Sequence, residues 1–226
     1  MKATTQNKGL QVEEGQTKLY VPHQNSTLTF IHPYHGPHTY ANVASSIEQA
    51  GLSTPTLAET VSLVHAAFHS DDKYSTEIQQ LMKSNWLWGF TGIHYVPHKG
   101  AYIQDHPSIK NGMLFMQESE LVKKLEAQDP TVRHVPFGYK TESMSSLELA
   151  KNSFVQALAG AEGADKLAEI ADKHKNKPYL YSLTSVNEPT TKASALYSDW
   201  GVGHWLDVVG YFRGGNGDGF AFGVRQ

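Results

Sequence analysis

Histidine is the residue type with the most evident chemistry in this sequence, which contains twelve histidines and no cysteine. His65 and His69 are four residues apart in a helical pattern, so both imidazoles lie on one face of the predicted helix and could share a metal ion. Ala66 stands where a zinc protease carries its catalytic glutamate, and the sequence identifies no third ligand. We therefore expect neither a metal site nor a cofactor.

A second group of histidines, His32, His35 and His38, repeats at intervals of three residues. Pro33 and Pro37 exclude a helix in this stretch, so the spacing does not place the three imidazoles on one face. Surface exposure or a separate hydrogen bond for each ring is the simpler expectation.

Other catalytic chemistry is disfavoured by what the sequence lacks. Without cysteine there is no disulfide, no thiolate metal ligand and no cysteine nucleophile. No Walker loop, nucleophile elbow or dinucleotide fingerprint occurs. The glycine-rich residues 214–219 begin no helix that could bind phosphate, and Asp71 and Asp72 precede a predicted helix, where negative charge is stabilising. We expect no catalytic residues and no enzymatic activity.

Bulk composition narrows the classes of partner. The 226 residues are 39% hydrophobic, enough for a buried core, and carry a formal net charge of −3 with scattered Lys and Arg, which disfavours nucleic acid. The polar N-terminus lacks the apolar segment of a signal peptide, and no stretch has the length of a membrane span. We expect a protein of the cytoplasm, or one that reaches a surface through a partner.

Hydrophobic periodicity predicts a single α+β domain over residues 17–226 behind a flexible leader at residues 1–16. Helix-cap patterns stand at Thr56 with Glu59 and at Ser145 with Glu148. The predicted helices cover residues 40–50, 56–68, 75–83, 119–127, 145–151 and 161–175. The predicted strands cover residues 18–21, 27–31, 132–135, 137–139 and 178–183, a hairpin covers 86–105, and a loop covers 33–38.

The segment 197–224 departs in composition from the rest of the chain. Eight of its 28 residues are Gly and seven are aromatic, and none is Lys, Glu, Gln, Met, Pro, Thr or Ile. Glycine allows tight turns, and an aromatic ring supplies a large contact area for few rotatable bonds, as in antibody paratopes. A glycine-rich β-meander whose aromatic side chains form core is the alternative interpretation.

The end of the chain, Asp-Gly-Phe-Ala-Phe-Gly-Val-Arg at 218–225, resembles the terminal strand of C-type-lectin-fold proteins of the formylglycine-generating-enzyme type. It is most similar to the variable proteins of diversity-generating retroelements, in particular the archaeal ones. Gly92-Ile93, Tyr-Ile-Gln-Asp at 102–105 and Pro-Phe-Gly-Tyr-Lys at 136–140 are similar to archaeal proteins of that kind as well.

The resemblance implies a C-type-lectin-like fold whose C-terminal part, residues 193–225, is a variable region. In that family, mutated template adenines convert Asn codons into codons for many residues, but not for Trp, Lys, Glu, Gln or Met. Every residue of 197–224 except Trp200 and Trp205 belongs to the reachable set, so these two are expected to be fixed anchors. The function implied is recognition of varied ligands, expected to be proteins.

Alternation divides this region into scaffold and contact positions. The residues assigned to scaffold are Leu206, Val208, Gly210, Phe220, Phe222 and Val224. The residues expected to contact ligand are Tyr197, Asp199, Gly201, Val202, Gly203, His204, Asp207, Tyr211, Phe212, Arg213, Asn216 and Asp218.

Two alternative functions remain open on the same fold, although two known activities of this fold do not match the sequence. Formylglycine-generating activity relies on cysteines, which this chain lacks. Calcium-dependent sugar binding in C-type lectins uses Glu-Pro-Asn or Gln-Pro-Asp together with Trp-Asn-Asp, whereas here Asn187-Glu188-Pro189 has another order and Trp200 precedes Gly201. A metal- or carbohydrate-dependent lectin or enzyme is therefore one alternative, and a structural or assembly component is another.

Overall fold

The computed structural model describes residues 11–13, 18–199, 204–212 and 217–225, and for residues 11–13, 199, 211 and 212 it describes the backbone alone. Within these ranges, runs of consecutive strands are separated by runs of consecutive helices. The helices are α1 (Tyr40–Gln49), α2 (Leu57–Phe68), α3 (Lys73–Ser84), α4 (Glu118–Glu126), α5 (Ser146–Ala150) and α6 (Ser153–Ala171). The strands are β1 (Gln11–Glu13), β2 (Lys18–His23), β3 (Ser26–His38), β4 (Trp86–Val96), β5 (Gly100–Asp105), β6 (Ser108–Lys110), β7 (Met113–Phe115), β8 (Val132–Val135), β9 (Glu142–Ser143), β10 (Tyr179–Tyr181), β11 (Thr190–Asp199), β12 (Trp205–Phe212) and β13 (Gly219–Arg225).

One mixed sheet organises the described part of the chain, and β4 lies at its centre. The main path through the sheet is β1-β2-β3-β13-β4-β11-β12-β10-β9, while β5 pairs with β4 and β8. Trp86 and Leu87 pair in parallel with β13, whereas the second half of β4 pairs antiparallel with β5. β11 pairs antiparallel with β4 on the other side. The α+β class and the β-rich C-terminal third predicted from the sequence are confirmed.

Local capping explains where several helices begin. Thr56 accepts a hydrogen bond from the Glu59 amide, and the Glu59 carboxylate accepts one from the Thr56 amide. Ser145 and Glu148 form the same reciprocal pair before α5. Both capping boxes predicted from the sequence are confirmed, because each satisfies backbone donors within one turn and needs no distant partner.

The sheet is covered on two faces. The first face packs against α2, α3, α5 and α6, and alternate residues such as Leu87, Leu196 and Leu206 contribute to that core. On the opposite, second face, Trp88 and Ala195 join a separate core that includes the buried side of α1. Strand neighbours therefore belong to different cores, as the alternation of side chains in a β-strand requires.

Polar contacts connect the C-terminal half of β4 and its neighbours β5 and β8 to the helices α2 and α6. The Thr91 hydroxyl accepts a hydrogen bond from the Leu57 amide at 3.0 Å and donates to Asp105 at 2.7 Å. Arg133 forms a two-pronged ion pair with Asp105 and donates from Nε to the Ala157 carbonyl at 2.7 Å. This half-buried network fixes β5 and β8 against α2 and α6, since bidentate Arg–carboxylate contacts hold both distance and orientation.

Two local predictions are wrong. Residues 33–38 form the last part of β3 and not a loop, because they pair with β13 through an irregular register that accommodates the two prolines. Residues 137–139 are not a strand. The ring of Phe137 instead packs near that of Tyr95 on β4, and the ring of Tyr139 packs near that of Phe154 on α6.

Two further segments differ in extent from the sequence prediction. α6 begins at Ser153, where Asn152 caps it, and continues through a break at Gly160, whose φ is 75°. The sequence pattern locates the part after this break and misses the part before it. Within the leader predicted at residues 1–16, Gln11–Glu13 pair with β2, and the others lie outside the described residues. No helix in the described ranges is long and apolar enough to cross a bilayer.

The close approach of β13 to β4 gives a stability prediction. A Cβ at Gly219 would lie 1.9 Å from Nε1 of the fully buried Trp88, so Gly219→Ala should lower the free energy of unfolding by about 1–3 kcal/mol. Gly217→Ala is the matched control, because no described atom lies within 4 Å of its Cβ. Urea denaturation compares the two, and equal stabilities would contradict this packing.

Candidate functional site

The described strands of the predicted variable region, where a site is expected, are β11, β12 and β13. β12 lies between β11 and β10, antiparallel to the first and parallel to the second. Asp207 is the register partner of Tyr197 on one side and of Tyr179 on the other. Because register partners point to the same face, these three side chains belong to one surface.

The residues assigned to scaffold are buried. Leu206, Val208 and Phe222 are at most 1% exposed and belong to the first-face core. Gly210 lies against α6, since a Cβ there would approach the Phe154 ring to 2.7 Å. Its carbonyl accepts a hydrogen bond from the Tyr95 hydroxyl at 2.5 Å. The burial expected of these scaffold positions is therefore observed, although Asp207 and Val209 on the other face of β12 are buried as well.

Five half-buried aromatic side chains lie on the second face, and we call them the aromatic face. The rings of Trp86 and Tyr197 are 4.8 Å apart, those of Tyr179 and Tyr181 are 4.2 Å apart, and Trp205 lies 6.5 Å from Tyr179. Each of the five is partly exposed. A surface of this kind offers a large rigid contact area, which suits binding.

Asp207 lies beneath the aromatic face, and its burial contradicts the exposed position expected from the sequence. The sequence alternation assigns it to an exposed contact position, but only 4% of its area is exposed. The exposure prediction fails because both flanking strands place a tyrosine beside it, Tyr197 from β11 and Tyr179 from β10. The carboxylate is therefore part of the floor of the aromatic face.

The remaining predicted contact residues fall into three groups. His204 is half-buried with a φ of 49°, and its carbonyl accepts a hydrogen bond from the Asn176 amide at 3.2 Å. Asp218 is exposed and immediately precedes Gly219, the register partner of Trp86. Asp199, Tyr211 and Phe212 are described by their backbone only, within β11 and β12. The contact residues that lie outside the described residues are Gly201, Val202, Gly203, Arg213 and Asn216, and the predicted anchor Trp200 lies outside them too.

Three members of the aromatic face were not among the predicted site residues. Trp86 comes from β4, and Tyr179 and Tyr181 come from β10, both distant in sequence from the variable region. The spacing of Tyr179 and Tyr181 within a predicted strand indicates a shared face. Their proximity to Trp205 depends on the parallel pairing of β10 with β12, which local sequence does not specify.

The two histidines that could share a metal ion lie on the first-face side of the sheet, away from the aromatic face. His65 and His69 of α2 come together with Glu169 of α6, with ligand atoms within 4.8 Å of one another. Burial lowers the pKa of His65, and the hydrogen bond to Glu169 opposes that shift. By contrast, His32 bonds to Glu77 and His35 to Ser46, so those two rings have separate partners.

Comparison with known proteins identifies the fold. No family model matches the sequence, and no curated protein matches it. A solved structure described as the accommodation of massive sequence variation in Nanoarchaeota by the C-type lectin fold is similar, with a TM-score of 0.59 and 15% sequence identity. The match covers 84% of this chain and 95% of that chain. The chain therefore has a C-type lectin fold, as the sequence resemblance predicted.

Adjacent positions on β11 test the division between scaffold and aromatic face. Leu196 is fully buried, so Leu196→Ala should lower the free energy of unfolding by about 2–5 kcal/mol. Tyr197 is half-buried and its ring lies 4.8 Å from that of Trp86, so Tyr197→Ala should cost less, about 1–2 kcal/mol. Chemical denaturation of both variants measures this, and a larger loss for Tyr197→Ala would show that its ring is core.

Proposed function

We propose that this protein is a non-enzymatic binding protein whose ligand contacts the aromatic face and the contact residues predicted from the sequence. The observation that carries the proposal is the grouping of five half-buried aromatic rings on one face of a sheet whose opposite face is buried. Partly exposed aromatic side chains held by a rigid scaffold are typical of recognition surfaces. The proposed role needs no catalytic residue and no cofactor.

A protein ligand is favoured over nucleic acid. The rings supply apolar contact area, and the floor beneath them contains the carboxylate of Asp207. Together with the formal net charge of −3, this carboxylate disfavours the binding of phosphates. Tyr and Trp at a partly exposed surface are the residues that contribute most binding energy at protein interfaces.

We further propose that the surface is diversified by a retroelement. The similar Nanoarchaeota structure is described in terms of massive sequence variation, which gives a precedent on this fold. Support from this chain is the buried scaffold set around Leu206 and Val208, which would keep β12 fixed while neighbouring side chains change. Every residue of 197–224 apart from Trp200 and Trp205 can be encoded by a codon that arises from an Asn codon through mutated template adenines, which agrees with the proposal.

The positions proposed to vary follow from exposure where the structure describes it. Tyr197, His204 and Asp218 are at least partly exposed, whereas Asp207 is buried and is proposed as a floor residue. The other proposed positions keep their sequence assignment as contact residues: Asp199, Gly201, Val202, Gly203, Tyr211, Phe212, Arg213 and Asn216.

A displayed random peptide library, panned on the full chain, tests binding by the aromatic face. We expect selected peptides to bind Tyr197→Ala at least about 10-fold more weakly than the parent, because an interface aromatic commonly contributes more than about 1.4 kcal/mol. Leu147→Ala is the matched control, since Leu147 is an apolar side chain that is 64% exposed on α5.

The control should bind the same peptides as tightly as the parent does. The proposal would be contradicted if the peptides bound Leu147→Ala more weakly than the parent but bound Tyr197→Ala as tightly as the parent, because the binding surface would then lie elsewhere. Isothermal titration of synthetic peptides gives the dissociation constants.

A further inference from the structure

Two helices on the first-face side of the sheet bring together three metal-ligating side chains. His65 lies in the last turn of α2 and His69 directly follows this helix, whereas Glu169 lies on α6, 104 residues after His65. The Glu169 carboxylate oxygen Oε2 is 2.9 Å from His65 Nε2 and 3.8 Å from His69 Nε2. Packing of α6 on α2 thus supplies the third ligand that the sequence does not reveal.

The two imidazoles are oriented for a shared ion. His69 donates a hydrogen bond from Nδ1 to the His65 carbonyl at 2.8 Å, which leaves the lone pair on Nε2, the nitrogen that faces Glu169. A backbone carbonyl in this position commonly fixes the tautomer of a metal-binding histidine. The ring centroids of His65 and His69 are 4.3 Å apart with an interplanar angle of 37°, so the rings lie side by side.

The separations match those around a small divalent ion. With zinc–nitrogen and zinc–oxygen bonds of about 2.1 Å and tetrahedral angles, ligand atoms lie about 3.4 Å apart. The two distances from Glu169 Oε2 to the imidazoles, 2.9 and 3.8 Å, lie on either side of that value. All three ligand atoms lie within 4.8 Å of one another, so small rotations of the side chains would place three ligands around one ion.

The surroundings leave room for a fourth ligand. His65 is 6% exposed, and it borders a cavity of about 300 Å³ that is also lined by Ser62, Asp165, Lys166 and Glu169. The Lys166 ammonium lies 2.6 Å from Glu162 and 2.9 Å from the Ser62 hydroxyl, so its charge is compensated within the cavity wall. A water molecule in the cavity can complete the coordination.

We propose that His65, His69 and Glu169 bind a divalent transition-metal ion of the zinc class, with the fourth position open to the cavity. Two imidazole nitrogens and one carboxylate are the donor set that such ions prefer, whereas calcium and magnesium prefer oxygen ligands alone. The ion connects the C-terminal end of α2 to α6. The site lies on the first-face side, apart from the aromatic face, so its existence does not depend on the proposed function.

Titration of the metal-free full chain with Zn²⁺ alone tests the site. After treatment with EDTA and gel filtration, the chain should take up about one equivalent of Zn²⁺ by calorimetry, and the ion should raise the melting temperature. His69→Gln and Glu169→Gln should each weaken zinc affinity by at least about 10-fold, since each removes a ligand at a partly exposed position.

His32→Gln is the matched control, because His32 and Glu77 form a His–carboxylate pair at the same distance of 2.9 Å. Among the described side chains, the group that could hold a metal is that of His65, His69 and Glu169. The control should therefore bind Zn²⁺ as tightly as the parent.

Absence of zinc uptake by the parent chain would overturn the proposal without any variant. The proposal would also be overturned if His69→Gln and Glu169→Gln bound Zn²⁺ as tightly as the parent. A loss of zinc uptake in His32→Gln equal to that in these two variants would overturn it as well. Circular dichroism of each metal-free variant shows whether it is folded, so a loss of affinity is distinguished from a loss of structure. Peptide binding by the aromatic face is a separate measurement on the other face of the sheet.

Discussion

The position of β12 between β11 and β10 is the constraint on which the rest of the candidate site depends. Backbone ladders hold β12 on both sides, and Leu206 and Val208 anchor it to the first-face core. Because side chains alternate, fixing these two residues also fixes the direction of Trp205 and Asp207 on the second face. A rigid backbone can then present different side chains at neighbouring positions without a change of fold.

Under the proposed function, one face of the sheet serves stability and the other serves recognition. The first face is closed by α2, α3, α5 and α6, and it supplies most of the buried apolar area. The second face is covered in part by α1, which contacts β3 and β13, while the aromatic rings near β10 and β12 are half-buried. The histidine–glutamate group lies among the helices of the first face, so a metal there would stabilise the scaffold side and leave the aromatic face available.

Features that depend on residues close in the sequence could be predicted, and features that depend on distant pairing could not. The capping boxes at Thr56 and Ser145 need only one helical turn, and the scaffold alternation around Leu206 needs only one strand. The strand at residues 33–38 forms because β13 pairs with it, and Glu169 reaches His65 because α6 packs on α2. No local sequence pattern predicts either contact. The burial of Asp207 between two tyrosines also depends on strands that are distant in the sequence.

The central claim is that variation falls on exposed positions of a fixed C-type lectin scaffold. Sequencing the complete genetic locus, together with copies of the gene from related genomes, tests it most directly. We predict a neighbouring reverse transcriptase and an imperfect copy of the 3′ end differing chiefly at adenines, with substitutions at the codons of Tyr197, His204 and Asp218 and none at Leu206 or Val208. A complete locus without such a copy, or substitutions spread equally over buried and exposed codons, would contradict the claim.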